Sequence, residues 1–197
     1  MPMILPVLQS SLDTSNPGHL YLLEEGLDLW LSTIQNCPTI TPDLIQFIPF
    51  AIQQMEYGNE SLKKVLHIIE AYVVLAPLVT LQSYSDPLVS SISKMMGSLT
   101  VSASNSLLRL VDLMCQSCQV AGCFPDLLNV MYTQGLFGRL LSVVLGGEEM
   151  DVIVVGFLIV IFRLFLYDAP NVIKIIESGG PGTFSKFMGI ALEKVKQ

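Results

Sequence analysis

An all-α fold is predicted by this sequence: an α-solenoid of HEAT-type antiparallel helix pairs in a right-handed superhelical stack. Three observations point to it. Apolar residues recur at spacings of three and four along the chain, and no stretch sustains the alternation expected of a strand. Proline and glycine mark corners between these apolar segments. The stripes of successive first helices begin at Leu23, Leu62, Leu107 and Val152, at intervals of 39, 45 and 45 residues. HEAT and armadillo arrays repeat at roughly 40–47 residues. One pair cannot bury its stripe alone, so neighbours stack and a core runs along the array. Residues 1–197 are therefore read as a single array. Its helix pairs lie at about 20–57, 61–99, 104–146 and 150–177, with a final helix at 184–196.

The chain begins with Met1 to Leu12, an apolar run interrupted by Pro2 and Pro6. It has no basic n-region, which argues against a signal peptide. Residues 12–18 read as a turn-rich loop. The first helix carries Leu23, Leu27, Trp30 and Ile34 on one stripe, with Glu24, Glu25, Asp28, Ser32 and Gln35 mostly opposite. It should stop at Cys37, because a residue before proline is pushed out of the α region. Thr41-Pro42-Asp43 opens the second helix: a capping hydroxyl, a proline at the first position and a carboxylate at the positive end of the dipole. Its stripe is Leu44, Ile48, Ala51, Ile52 and Met55, and Tyr57-Gly58-Asn59 closes it with a C-terminal glycine. Asn59-Glu60-Ser61 matches a glycosylation acceptor, but reads better as the next helix's cap.

The third helix carries Leu62, Val65, Leu66, Ile69, Val73 and Ala76, and Pro77 ends or bends it. The fourth carries Leu88, Ile92, Met95, Met96 and Leu99. Its start is open between a cap at Asp86-Pro87 and a helix from Thr80 kinked at Pro87. Ser102 to Ser106 leads into a fifth helix with Leu107, Val111, Met114 and Cys118. After a corner at Gly122 to Pro125, a sixth begins near Asp126 with Leu127, Leu128, Met131, Leu136, Leu140, Leu141 and Val144. Gly135 and Gly138 weaken its middle, at about 1 kcal/mol each relative to alanine, and Gly146-Gly147 stops it. The seventh runs from about Met150 to Tyr167. Asp168-Ala169-Pro170-Asn171 opens a short eighth, and Gly179 to Gly182 breaks the chain. A final helix carries Phe184, Phe187, Met188, Ala191 and Val195.

Two segments also carry a family likeness: Tyr21-Leu22-Leu23-Glu24-Glu25-Gly26-Leu27-Asp28-Leu29-Trp30-Leu31, and Cys37-Pro38-x-Ile40-Thr41-Pro42-x-Leu44. They resemble the importin eleven–like branch of the importin-β (karyopherin) nuclear transport receptors. The likeness continues loosely at Leu81-Gln82-Ser83-Tyr84, and from Ser102 onward it lies in helix pattern more than in residue identity. It implies a HEAT-repeat receptor that carries protein cargo into the nucleus and shuttles between cytoplasm and nucleus. In that family the inner, second helices line a concave surface for cargo and the GTPase Ran. The outer helices offer apolar grooves to phenylalanine-glycine repeats of nucleoporins. The matched region lies towards the C-terminal side of such receptors and the Ran-binding repeats towards their N-terminal end, so a fragment is expected. No local motif assigns individual cargo- or partner-binding residues. The alternative is a generic α-solenoid scaffold without a transport role.

Composition fits a stacked array and excludes several other classes. Hydrophobic residues make up 51% of the chain and charged residues only 14%, against about 25% charged in ordinary soluble domains. Mean hydropathy is +0.59. That excess of apolar residues suits either a membrane protein or an internal slice of a larger stack, and it excludes global disorder. A net charge of −7 disfavours nucleic-acid binding, which needs a basic footprint. The acidity suits basic protein partners, or simply keeps the chain soluble. Val152 to Phe162 is the candidate membrane span, but a span needs about 20 apolar residues. It is read as an inner helix buried on several sides, with no membrane insertion.

No residue set for catalysis is apparent. Two histidines, His19 and His67, leave little general-base capacity. Cys115, Cys118 and Cys123 could hold a metal or exchange a disulfide. With no histidine nearby, they read instead as small buried side chains, and four cysteines suit a reducing compartment. Gly179-Gly180-Pro181-Gly182 lacks the Lys-Ser/Thr of a phosphate loop and reads as a linker. The acidic clusters Glu24/Glu25/Asp28 and Glu148/Glu149/Asp151 read as solvated faces. No enzyme activity, cofactor or metal is expected. Neither end looks like a purpose-made cap: Met1 to Leu12 is apolar, and Phe184, Phe187 and Met188 need cover. The chain alone is therefore expected to self-associate.

Overall fold

A computed structural model describes residues 4–12, 21–57, 61–96, 99–146 and 151–195. Every regular element among them is helical, and they stack as an α-solenoid. The first helices of successive pairs pack side by side in one file: α2 (Leu23–Gln35), α5 (Leu62–Leu75), α7 (Val101–Ala121) and α10 (Asp151–Glu177). A second file holds α4 (Ile48–Glu56), α6 (Pro77–Met95), α8 (Phe124–Thr133), α9 (Leu136–Gly146) and α11 (Thr183–Val195). The short α3 (Pro42–Ile45) precedes α4, and α1 (Ile4–Leu12) lies against α2.

The predicted stripes form the core. Leu27, Trp30, Ile34, Leu44, Ile48, Ala51 and Met55 are buried, as are Val65, Leu66, Ile69 and Val73 on α5. Trp30 sits where three helices meet. Its indole N–H donates to the Tyr72 hydroxyl at 3.0 Å, and that hydroxyl donates to the Leu44 carbonyl at 2.6 Å. Phe47 and Phe50 flank the indole, with ring centroids at 5.7 and 6.3 Å.

Several boundaries differ from expectation, each for a local reason. The expected second helix is two: α3 stops at Ile45 and α4 begins at Ile48. Pro49 cannot donate to the carbonyl four residues back, and its ring crowds that carbonyl. Thr41 has the extended backbone of an N-cap (φ −84°, ψ 155°), but its hydroxyl caps nothing. That hydroxyl oxygen is buried without a partner. The open question at Pro87 is resolved towards one helix, since α6 runs from Pro77 through Pro87 to Met95. α7 already begins at Val101, where Thr100 accepts the Ala103 N–H at 3.4 Å.

The expected sixth helix is broken into α8 and α9 at Gly135, whose φ of 73° no helix interior contains. Asp168 (φ −152°, ψ 66°) divides α10 as expected. Its carboxylate accepts the Asn171 N–H at 3.4 Å, which places Pro170 in a first turn where no N–H is needed.

Among the described residues, both edges of the array are better covered than expected. Despite Pro6, α1 is a helix that buries Leu8 and Leu12. Gly26 lets it approach closely: a Cβ there would lie 2.6 Å from the Ser11 hydroxyl oxygen. At the other edge Phe187 is buried completely, against Phe162 and Phe165 at 5.9 and 6.1 Å. Phe184 and Met188 are partly buried. Of the loop expected at residues 12–18, Leu12 instead ends α1; residues 13–18, the glycine cap at Gly58 with Asn59 and Glu60, the carboxylates Glu148 and Glu149, and the side chains of Asp151 and Val195 lie outside the described residues.

Candidate interaction surface

The file of first helices is tied across each junction by charged side chains. Lys64 on α5 reaches Glu24 at 3.1 Å and Asp28 at 2.8 Å on α2. Arg109 on α7 reaches Glu70 on α5 at 3.5 Å. Arg163 on α10 reaches Asp112 on α7, with Nε at 2.8 Å and a terminal nitrogen at 3.3 Å. Asp112 also accepts from Gln116 at 2.7 Å. The hydrogen bond to Asp112 holds the Arg163 guanidinium above its ordinary pKa, against a smaller opposing effect of burial. The second file has its own tie: Glu56 on α4 accepts from Ser91 and Lys94 on α6, at 2.9 and 3.1 Å. The Ser91 bond, then Lys94, lowers the Glu56 pKa. Glu24 and Asp28 stay solvated as expected, with side chains 71% and 59% exposed, and in addition they pair with Lys64 across the junction.

A groove of about 340 Å³ lies between α7 and α10. Leu108, Val152, Val155, Gly156, Ile159 and Val160 give it apolar walls, and Asn105, Arg109 and Asp112 a polar rim. Gly156 sets how closely the helices approach, since a Cβ there would lie 2.9 Å from a Leu108 methyl. Val152, Val155 and Ile159 remain 63%, 41% and 52% exposed. This corrects the expectation that the apolar helix is buried on several sides. Its inner face is covered by α7, α9 and α11, but its outer stripe, continuing to Leu166, is open. By length and composition Val152–Glu177 could cross a membrane, and only 39% of its most apolar window is buried. The Asp112–Arg163 pair and the break at Asp168 interrupt that surface with polar groups.

Two further grooves are present. One, of about 330 Å³, lies between α8 and the segment after Asp168, where Tyr132, Asn129, Asn171 and Lys174 give it a polar lining. The other, of about 420 Å³, lies between α1 and α2, with Val7, Leu22 and Leu29 among its walls.

The remaining chemical candidates resolve differently from their spacing. Among the described residues, no group of three or more His, Cys, Asp or Glu side chains could hold a metal. His67 is half-buried on α5 and His19 lies outside the described residues. The glycine turn is no phosphate cradle. The Gly182 and Phe184 N–H groups both donate to the Glu177 carboxylate, at 2.9 and 3.0 Å, so a protein acid already occupies the start of α11. Cys115, Cys118 and Cys123 are buried thiols. Burial pushes Cys115 up to about 12 and Cys118 up as well. The sulfurs brought together are those of Cys118 and Cys123, at 3.3 Å.

A family model described as Importin-11-like, TPR repeats, matches residues 1–193. Human Importin-11 is 37% identical over 111 residues, which is 56% of this chain and 11% of that protein. Mouse Importin-11 is 36% identical over 111 residues with the same coverage. The chain thus spans about 11% of the length of these relatives. No solved structure matches it. The family description counts TPR repeats, whereas the intervals of 39 and 45 residues are longer than the TPR period of about 34. Both repeat types are stacked helix pairs.

Proposed function

Since the chain belongs to the Importin-11-like family, we propose that it is a section of a nuclear transport receptor that carries protein cargo into the nucleus. Residues 1–197 then form one continuous repeat array within that receptor, which shuttles between cytoplasm and nucleus. The section acts by binding rather than by catalysis. Its partners are protein cargo and the phenylalanine-glycine repeats of nucleoporins, and the contacts to Ran lie on other repeats. What supports the reading is the family match along nearly the whole chain, together with an open apolar groove between two neighbouring first helices. A groove with Val155, Ile159 and Leu108 in its walls and a polar rim suits a phenylalanine ring flanked by peptide backbone.

Capture of proteins from nuclear extract on the full-length receptor, with and without Ran-GTP, tests the proposal. A receptor releases its import cargo when Ran-GTP is added. A generic scaffold holds the same proteins in both conditions, and that result would overturn the transport reading.

A further inference from the structure

The corner between α7 and α8 brings together two thiols that sequence spacing does not pair. Cys115 and Cys118 share a helix face, as i, i+3 residues do, yet the sulfur meeting Cys118 is that of Cys123, at 3.3 Å. The geometry follows from the way α7 ends. Gly122 is left-handed (φ 76°, ψ 16°). The Cys123 N–H donates to the Cys118 carbonyl at 2.9 Å, and the Gly122 N–H to the Gln119 carbonyl at 3.4 Å. This is the Schellman arrangement, in which the residue after the left-handed one folds back over the last turn and packs against it. Here both residues of that packing contact are cysteines.

We propose that Cys118 and Cys123 form a reversible dithiol/disulfide site that responds to hydroperoxides. Disulfide bonding needs the sulfurs to close to about 2.05 Å, and the hydrogen bond between the two residues already holds their backbones together. The chemistry balances in two steps. Burial keeps the Cys118 thiol protonated while the corner is closed, so the first step follows opening: in water one thiol gives up its proton and attacks a peroxide oxygen; the O–O bond breaks, and sulfenic acid forms as alcohol or water leaves. The second thiol then attacks that sulfur, the S–O bond breaks, and water leaves as the S–S bond forms. The peroxide is reduced by two electrons and the two thiols are oxidised. Exchange with a free thiol restores the pair.

Both cysteines are buried, Cys118 at 1% and Cys123 at 4% exposure, so the corner must open for the oxidant to enter. Its other members are open to water: Gly122 is exposed and Val120 is 89% exposed. The bond would staple the end of α7, in the first file, to the start of α8, in the second.

The test treats the full chain with hydrogen peroxide, alkylates free thiols under denaturing conditions, and maps peptides by mass spectrometry before and after reduction. The expected product is a peptide lighter by two hydrogens with Cys118 joined to Cys123, recovered fully as thiols by reduction, while Cys115 is alkylated. Cys123→Ser should abolish the bridge and leave Cys118 alkylatable after peroxide; Cys115→Ser should leave it unchanged. A Cys115–Cys118 bridge, oxidation only to sulfinic acid, or both thiols remaining alkylatable would overturn the proposal. Far-UV circular dichroism of each variant confirms that it is folded.

Discussion

Tyr72→Phe removes one oxygen from the point where α2, α3 and α5 meet. That oxygen accepts the Trp30 indole N–H at 3.0 Å and donates to the Leu44 carbonyl at 2.6 Å. The Leu44 carbonyl keeps a second donor, the Phe47 N–H at 3.1 Å. The indole N–H has no such second partner, and Trp30 is 0% exposed. Leaving one buried donor unsatisfied costs about 1–3 kcal/mol, with little packing lost beyond the hydroxyl itself. Trp30→Ala should cost more, about 3–5 kcal/mol, because it also empties the space among Phe47, Phe50 and Tyr72. The decisive comparison is a cycle. Trp30→Phe removes the indole N–H, so Tyr72→Phe should cost less in that background than in the wild type, with a coupling of at least about 0.5 kcal/mol. Denaturant melts followed by circular dichroism read all four proteins. Trp30 is the one tryptophan in the chain, so its fluorescence gives an independent probe of burial in the parent. A Tyr72→Phe effect below about 0.5 kcal/mol, additive costs in the cycle, or water-exposed emission from the folded parent would refute the reasoning.

Three more outcomes follow from particular contacts. Gly26→Ala should destabilise by about 1–3 kcal/mol, because the new Cβ would lie 2.6 Å from the Ser11 hydroxyl oxygen. Adding Ser11→Gly should restore most of the loss in denaturant melts. Burial holds the Tyr72 phenol above its ordinary pKa, so its contribution is complete below the unfolded value of about 10 and is lost as pH rises through the folded value. Spectrophotometric titration should find one phenol that ionises only as the chain unfolds, and this step should vanish in Tyr72→Phe. Expressed in cells, the chain should be extracted by alkaline carbonate despite α10, because Arg163 is held by Asp112 against α7. Carbonate-resistant association would make α10 a membrane segment.

Most of the core could be read from period alone. Leu27, Trp30 and Ile34, and Leu62, Val65, Leu66, Ile69 and Val73, are buried as their spacing requires. Breaks within helices were harder. Pro49 and Gly135 interrupt expected helices, whereas Pro87 does not. A proline ends a helix or bends it according to how the surrounding packing accommodates the lost bond, which lies outside the local sequence. The ties between repeats join residues far apart, as with Asp112 and Arg163 or Glu56 and Lys94. No periodicity announces them. The Cys118–Cys123 contact depends on a left-handed Gly122 that folds the chain back, so helical spacing points to the wrong pair. The open stripe of α10 escaped for a related reason. An apolar run shows that a helix wants cover, but not which side has a neighbour. Gly156, a small residue within that run, was the one signal of the α7–α10 approach.

The measurement that bears most directly on the receptor reading is a titration of the chain with a phenylalanine-glycine nucleoporin peptide, followed by methyl NMR. Binding should saturate, with shifts centred on Val152, Val155, Ile159 and Val160 around the α7–α10 groove. It should weaken at least tenfold in a Val155→Asp/Ile159→Asp variant that melts like the parent, while a peptide with serine in place of phenylalanine should not bind. Saturable binding that is unchanged in the variant, or no binding to the folded chain, would contradict the account.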